Sequence, residues 1–219
     1  MARFLLRVAE HPWFYWTARF LFKAFARVAY GLRIEGTAHL PREGGMVLAV
    51  NHFSGWDPPM VGVSVPREIS FMAKKELFVS LPSRLLFRGL HAFPVDRSAN
   101  DIGAIKEALR RLQQGRAIGI FVQGTRHRRD AEALDGAAFL AQRGGVPLVP
   151  AAIHREGRRF RVRFGEPFRV EGRGRPAIRD ATRTIMKRVN ELLPSHAKIL
   201  PPDEAPPEGA SEGARDPGA

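Results

Sequence analysis

Cysteine is absent from the 219 residues, which excludes a disulfide framework, a thiolate metal site and a cysteine nucleophile. Long apolar runs are missing too. The stretches free of charge fall short of the roughly 20 apolar residues that span a bilayer, so the chain is expected to lie on a membrane without traversing it. Arg3, Arg7 and Glu10 interrupt the apolar pieces near the amino end, and no secretory signal is expected there. Acidic residues are scarce, with 22 Asp and Glu against 35 Lys and Arg and a formal charge of +13. Five of the acids (Asp203, Glu204, Glu208, Glu212, Asp216) fall in residues 203–219 with one base, Arg215. Setting that stretch aside takes 35 basic residues to 34 and 22 acidic residues to 17, a formal +17. Such a surface attracts polyanions: nucleic acid, anionic lipid headgroups, acidic carriers or phosphorylated substrates. With 44% hydrophobic residues, the chain has the means to bury one substantial core.

The residues that are present point first to Asn51-His52-Phe53-Ser54-Gly55-Trp56-Asp57, directly after the apolar run Met46-Val47-Leu48-Ala49-Val50. A buried strand is expected to deliver an imidazole at its exposed end. A histidine so placed takes a proton from a hydroxyl near neutral pH if a carboxylate fixes its tautomer and stabilises the imidazolium, and Asp57 is near enough in sequence to do so. Gly55 permits a sharp turn, while Pro58 and Pro59 stiffen the chain just after Asp57. On spacing alone a simple helix cap or turn is the better explanation of the pair. The balance shifts with three further blocks in order: Phe93-Pro94-Val95-Asp96-Arg97, Phe121-Val122-Gln123-Gly124-Thr125-Arg126 and Val146-Pro147-Leu148-Val149-Pro150.

Apolar periodicity predicts a helix from Trp13 to Tyr30, dense in aromatics, with Arg19, Lys23 and Arg27 forming one i, i+4 ridge. Two readings stand side by side: an interfacial helix on a membrane, or a helix packed on the domain with its cations in solvent. Strands are expected at 32–36 (an edge), 46–50 (central), 69–73, 117–122, 147–154 and 160–164, with an extended stretch at 91–95. Helices are expected at 58–65, 100–114, 137–143 and around Ile178 to Leu192. Strands alternating with helices define an α/β class, a single domain with a mostly parallel sheet flanked by helices. The expected organisation is an amphipathic aromatic and basic segment over 1–31, the domain over 32–199, and a Pro, Gly and Glu-rich disordered tail over 200–219.

The four blocks resemble those of the glycerolipid acyltransferase family, over roughly residues 30–195. Asn51 to Asp57 is similar to its Asn-His-x-x-x-x-Asp block, Phe93 to Arg97 to its arginine-bearing second block, Phe121 to Arg126 to its Phe-Pro-Glu-Gly-Thr-Arg block, and Val146 to Pro150 to its proline-rich fourth. The resemblance implies that His52, oriented by Asp57, deprotonates the hydroxyl of a lysophospholipid, 1-acyl-glycerol-3-phosphate, which then attacks the thioester of acyl-CoA or acyl carrier protein. It implies a substrate site built from Asn51, Ser54, Asp96, Arg97, Gln123, Gly124, Thr125 and Arg126, in which Arg97, Arg126 and the amides around Gly124 and Thr125 cradle the phosphate. No cofactor or metal is implied. The expected location is the cytoplasmic face of an anionic membrane surface, held peripherally. Gln123 stands where the family has Glu, Val122 where it has Pro, and Asp135 precedes Gly136 where a Lys is frequent. Those departures keep another lysolipid acceptor, or an inactive membrane-binding homologue, in view.

Two other classes compete. A basic nucleic-acid-binding domain accounts for the charge, but zinc-finger spacing, an RNA-binding aromatic strand and a recognition helix are all missing, and no specific nucleic acid is expected. A metal-dependent hydrolase would need ligands from His39, His91, His127 or His154, none of which shows metal-ligand spacing.

Overall fold

The computed structural model describes residues 12–96, 101–123 and 128–197. Seven strands form one sheet in the order β1-β7-β6-β2-β5-β3-β4: β1 (Arg33–Glu35), β2 (Met46–His52), β3 (Ile69–Lys74), β4 (Phe93–Val95), β5 (Ala117–Gln123), β6 (Leu148–Glu156) and β7 (Arg159–Phe164). Every pairing is parallel except β6 with β7. That exception is a hairpin whose two-residue loop starts at Gly157, with φ of 59°, a backbone region open to glycine. The helices among the described residues are α1 (Pro12–Tyr30), α2 (Asp57–Ser64), α3 (Leu81–Gly89), α4 (Ile102–Gln113), α5 (Arg128–Gly144) and α6 (Gly174–Leu192).

The expected α/β architecture is the observed one, and β2 lies at the centre of the sheet. Its residues Met46 to Asn51 are all buried, as a parallel strand covered on both faces must be. Alternation divides them. Met46, Leu48 and Val50 pack with Ala26 of α1 and Met60, Val61 and Val63 of α2, whereas Val47 and Ala49 pack with Ala108 and Leu112 of α4, Ala137 to Ala141 of α5 and Ile185 of α6. His52 shares the parity of Val50 and therefore projects toward the α1–α2 face. Helix α4 starts where Asp101 accepts a hydrogen bond from the Ala104 amide at 2.9 Å and stops at Gly115, whose φ is 77°, an N-cap and a left-handed terminator. Helix α5 begins nine residues before the expected 137. Its first turns, Arg128-Arg129-Asp130-Ala131-Glu132, favour helix but carry no apolar stripe to betray it.

Helix α1 packs one side on the domain and leaves the other exposed. Tyr15, Arg19, Phe22, Ala26 and Tyr30 turn toward the domain, while Trp13, Trp16, Phe20, Leu21, Phe25 and Val28 remain exposed. The continuous cationic ridge expected over Arg19, Lys23 and Arg27 does not form. Arg19 is buried and donates to the Gly62 carbonyl and, at 3.1 Å, to the Val63 carbonyl. Those are last-turn carbonyls of α2 that lack intrahelical partners, and a guanidinium there completes them and complements the helix dipole. No helix among the described residues is long and apolar enough to cross a membrane.

One close approach positions the future site. A Cβ built on Gly119 of β5 would lie 2.2 Å from the Phe71 ring, and Phe71 stacks on Phe121 with centroids 5.2 Å apart. Phe121 in turn lies 4.9 Å from the His52 ring. Substituting Gly119→Ala should displace this stack and cost about 1–3 kcal/mol of overpacking, read as a lowered urea midpoint at unchanged slope.

Candidate active site

Strand β2 ends at His52, and a short loop then returns to Asp57 at the first position of α2. Asp57 is fully buried and its Oδ2 accepts three hydrogen bonds: from the Phe53 amide at 2.7 Å, from the Ser54 amide at 2.8 Å, and from His52 Nδ1 at 2.8 Å. The loop is tied further by the Asp57 amide donating to the Ser54 carbonyl at 3.0 Å and the Trp56 amide donating to Ser54 Oγ at 3.2 Å. A carboxylate at a helix N-terminus meets favourable dipole charge and exposed amides, which explains why the chain folds back there. Oδ1 is buried with no hydrogen-bond partner among the described residues.

An oxygen that already receives two backbone N–H groups acts as an acceptor, so the proton of the pair sits on His52 Nδ1. Nε2 then carries the lone pair. The His52 side chain is 23% exposed while Asp57 is closed off, the arrangement of a base that meets substrate with its orienting acid behind it. Phe121 lies beside the imidazole, and the loop after His52 carries two further rings, Phe53 stacked on Phe160 and Trp56 against both Phe22 and Tyr30 of the first helix.

The remaining expected site residues divide. Gln123 is the register partner of His52 across β2 and β5, so the third block starts beside the first. Gly124, Thr125, Arg126 and Arg97 lie outside the described residues. Asp96 follows β4, three strand positions from β2 in the sheet, on the order of 14 Å away. It pairs with Lys75, and its amide donates to Asp101 Oδ2 at 2.9 Å. Ser54 Oγ serves the turn. Asn51 is buried, its Nδ2 donating to the Ile153 carbonyl and its Oδ1 accepting from the Ile153 amide, both at 2.7 Å. The backbone pairing of β2 with β6 stops at Val50 and Ala151, and the Asn51 amide continues it as a side-chain rung. Asp135, an acid that would repel phosphate if it faced the site, instead accepts from Thr182 Oγ1 of α6 at 2.6 Å. The fourth block forms the start of β6 beside Val47 to Ala49, below the dyad. Nothing in the sequence marks the contacts of Trp56 with Phe22 and Tyr30 or of Phe121 with His52, since aromatic residues in α1 and β5 carry no signature of their neighbours there.

Three other described histidines, His39, His91 and His154, have structural surroundings. His39 Nδ1 lies 3.0 Å from the Phe164 carbonyl, and His91 stacks on Tyr15 at 4.6 Å. His154 is buried, with Nε2 3.2 Å from Glu156 and Nδ1 unpartnered among the described residues. Burial, more than the nearby arginines, holds both His91 and His154 below the ordinary histidine pKa of 6.5. The unfolded chain therefore takes up these protons first. Stability contributed by the neutral rings is complete above about pH 6.5 and declines as pH falls below it, at no more than about 1.4 kcal/mol per pH unit for each ring. Urea midpoints measured from pH 7.5 to 5.5 should fall, and His154→Phe should flatten that slope.

The fold and dyad define an acyltransferase-type α/β domain. The chain belongs to the acyltransferase family, whose model matches residues 31–154. It is 41% identical over 124 residues to a 1-acyl-sn-glycerol-3-phosphate acyltransferase of Bacillus subtilis, covering 56% of this chain and 62% of that protein. A Streptococcus pneumoniae protein of the same name is 29% identical over 183 residues, covering 72% of this chain and 68% of its own. In fold the chain is similar to the crystal structure of the 1-acyl-sn-glycerophosphate acyltransferase of Thermotoga maritima, with a TM-score of 0.59 and 21% identity over 84% of this chain and 81% of that one.

Proposed function

We propose that this protein transfers a fatty acyl group from a thioester carrier, acyl-CoA or acyl carrier protein, to the free hydroxyl of 1-acyl-glycerol-3-phosphate in phospholipid synthesis. The observation that carries the reading is the His52 to Asp57 hydrogen bond of 2.8 Å at the end of the central strand, with no hydrogen-bond partner for Nε2 among the described residues. Nε2 takes the hydroxyl proton as the oxygen attacks the thioester carbonyl. Asp57 stabilises the resulting imidazolium, the C–S bond breaks, and the leaving thiolate recovers the proton. No acyl-enzyme is required.

Arg97, Arg126 and the amides of Gly124 and Thr125 are the proposed cradle for the acceptor's phosphate, since guanidinium groups bind it through paired hydrogen bonds. Asn51 and Ser54 act by holding the His52 loop. The exposed aromatic side of α1 rests on the cytoplasmic surface of an anionic membrane, with its rings at the headgroup boundary. Because Phe22 and Tyr30 of that helix touch Trp56, an apolar surface runs from the membrane contact to the dyad. A lysolipid can follow it.

The test is incubation of the protein and its Asp57-substituted form with labelled acyl thioester and a panel of lysolipids, read by mass spectrometry. Product from 1-acyl-glycerol-3-phosphate alone supports the reading. Product from a different lysolipid moves the acceptor, a second reading that Gln123 beside His52 favours because a neutral amide replaces the family's acid. No product from wild type together with product from Gln123→Glu identifies a homologue that has lost the reaction. Binding to duplex DNA but not to anionic liposomes would replace the proposal with a nucleic-acid role.

A further inference from the structure

At the other end of the sheet lies a cavity of about 420 Å³ lined by Arg88, His91, Phe93, Glu107, Arg111 and Arg116, among others. It sits at the amino ends of β4 and β5, one strand length from His52, on the order of 20 Å. Arg111 is fixed there. Its Nη1 donates to Ser70 Oγ and to the His91 carbonyl, both at 2.8 Å, its Nε donates to Glu107 at 2.7 Å, and its guanidinium lies 4.6 Å over the Phe93 ring. Glu107 is itself clamped by Arg110, and together the two guanidinium groups hold its carboxyl at a pKa of about 2. Glu68 is 3.4 Å from His91. Arg116, exposed, has no carboxylate partner among the described residues. Among the described lining residues there are more guanidinium groups than carboxylates, one of them preorganised at Arg111, and none of them belongs to the His52 site.

The position of the cavity indicates the source of an anion. His91 stacks on Tyr15 of α1, and the neighbouring Trp13 and Trp16 are exposed. Exposed indole rings beside clustered arginines match the boundary where rings sit among headgroups and guanidinium meets phosphate. We propose that this cavity is a second anion site, which takes the phosphate headgroup of an anionic phospholipid at the membrane surface. The choice of a lipid over free phosphate rests on the reading of α1 as a membrane-facing helix. The headgroup would anchor the first turn of α1 while the last turn serves the dyad.

The test compares wild type, an Arg88→Gln/Arg116→Gln protein and an Arg175→Gln/Arg179→Gln protein with equal charge loss on α6. Flotation uses phosphatidylcholine vesicles with and without phosphatidic acid. The cavity variant should lose about tenfold or more in affinity for the doped vesicles, while the α6 variant loses little. In wild type the His91 imidazole resonances should move on adding dihexanoyl-phosphatidic acid, and much less with inorganic phosphate at the same concentration. Equal losses in the two variants would reduce the effect to diffuse charge and overturn the site. A His91 response to inorganic phosphate as large as to the lipid would overturn the headgroup assignment. If no protein floats with either kind of vesicle yet His91 still answers the soluble lipid selectively, the anion site stands and the membrane reading of α1 is overturned.

Discussion

Substituting His52→Ala should lower kcat for acyl transfer by about 10²–10⁴-fold, the range supplied by a positioned general base, and leave the fold intact. The expected split follows from the geometry. His52 is partly exposed at the end of β2, and its side-chain hydrogen bond goes to Asp57 Oδ2, which still accepts from the Phe53 and Ser54 amides after truncation. Strand β2 is held by six buried residues and by neighbours on both sides, none of which contacts the ring as its main partner. The urea midpoint should therefore shift by no more than about 1 kcal/mol equivalent, the ordinary range for a partly exposed position. Acceptor KM should change little, because the proposed mechanism sets the imidazole against the reacting hydroxyl rather than the phosphate. A variant that keeps a tenth or more of the wild-type kcat would mean that another group, or solvent, removes the proton. A variant that loses activity only because it unfolds would show a collapsed midpoint.

Much of this arrangement is legible in the sequence, for reasons that can be located. The apolar run before Asn51 reads as a buried strand because a central parallel strand has no polar face to show, and the spacing from His52 to Asp57 is local enough for one loop to close it. The helix of residues 102–113 lies within the expected 100–114 because its apolar residues repeat at helical spacing. Less local features were hidden. Arg19 looks like a member of a solvated basic ridge until α2 places its carbonyls opposite, and no periodicity encodes that crossing. Asn51 has the donor and acceptor of a ligand-binding amide, yet Ile153, 102 residues away, takes both. The direction of Asp135 depends on how α5 meets α6, which decides between repelling a phosphate and receiving the Thr182 hydroxyl. In each case the partner comes from a distant segment, and packing assigns what composition leaves open.

Asp57 should be the costlier position, because under the proposed mechanism it serves rate and fold together. Its side chain is wholly buried and gathers two backbone amides and the imidazole on one oxygen, so Asp57→Ala leaves three donors without their acceptor. Charge-assisted hydrogen bonds of this kind contribute about 1.5–3 kcal/mol each in favourable cases, and part of that loss is recovered where water reaches the half-exposed loop. A net cost of about 2–4 kcal/mol is expected, within the range for disrupting a buried network. Asp57→Asn separates the two roles. The amide oxygen can still receive the loop amides, so stability should fall less than in the alanine variant. It cannot offset an imidazolium charge, however, and its NH₂ group falls where Oδ1 has no partner among the described residues. If that NH₂ turns toward His52, it forces the proton onto Nε2 and removes the lone pair that accepts the substrate proton. The kcat of the asparagine variant should drop by about 10²–10⁴-fold while its urea midpoint stays above that of the alanine variant. Equal kcat for Asp57→Asn and wild type would remove the carboxylate's charge from the mechanism and leave it a purely structural tie for the loop.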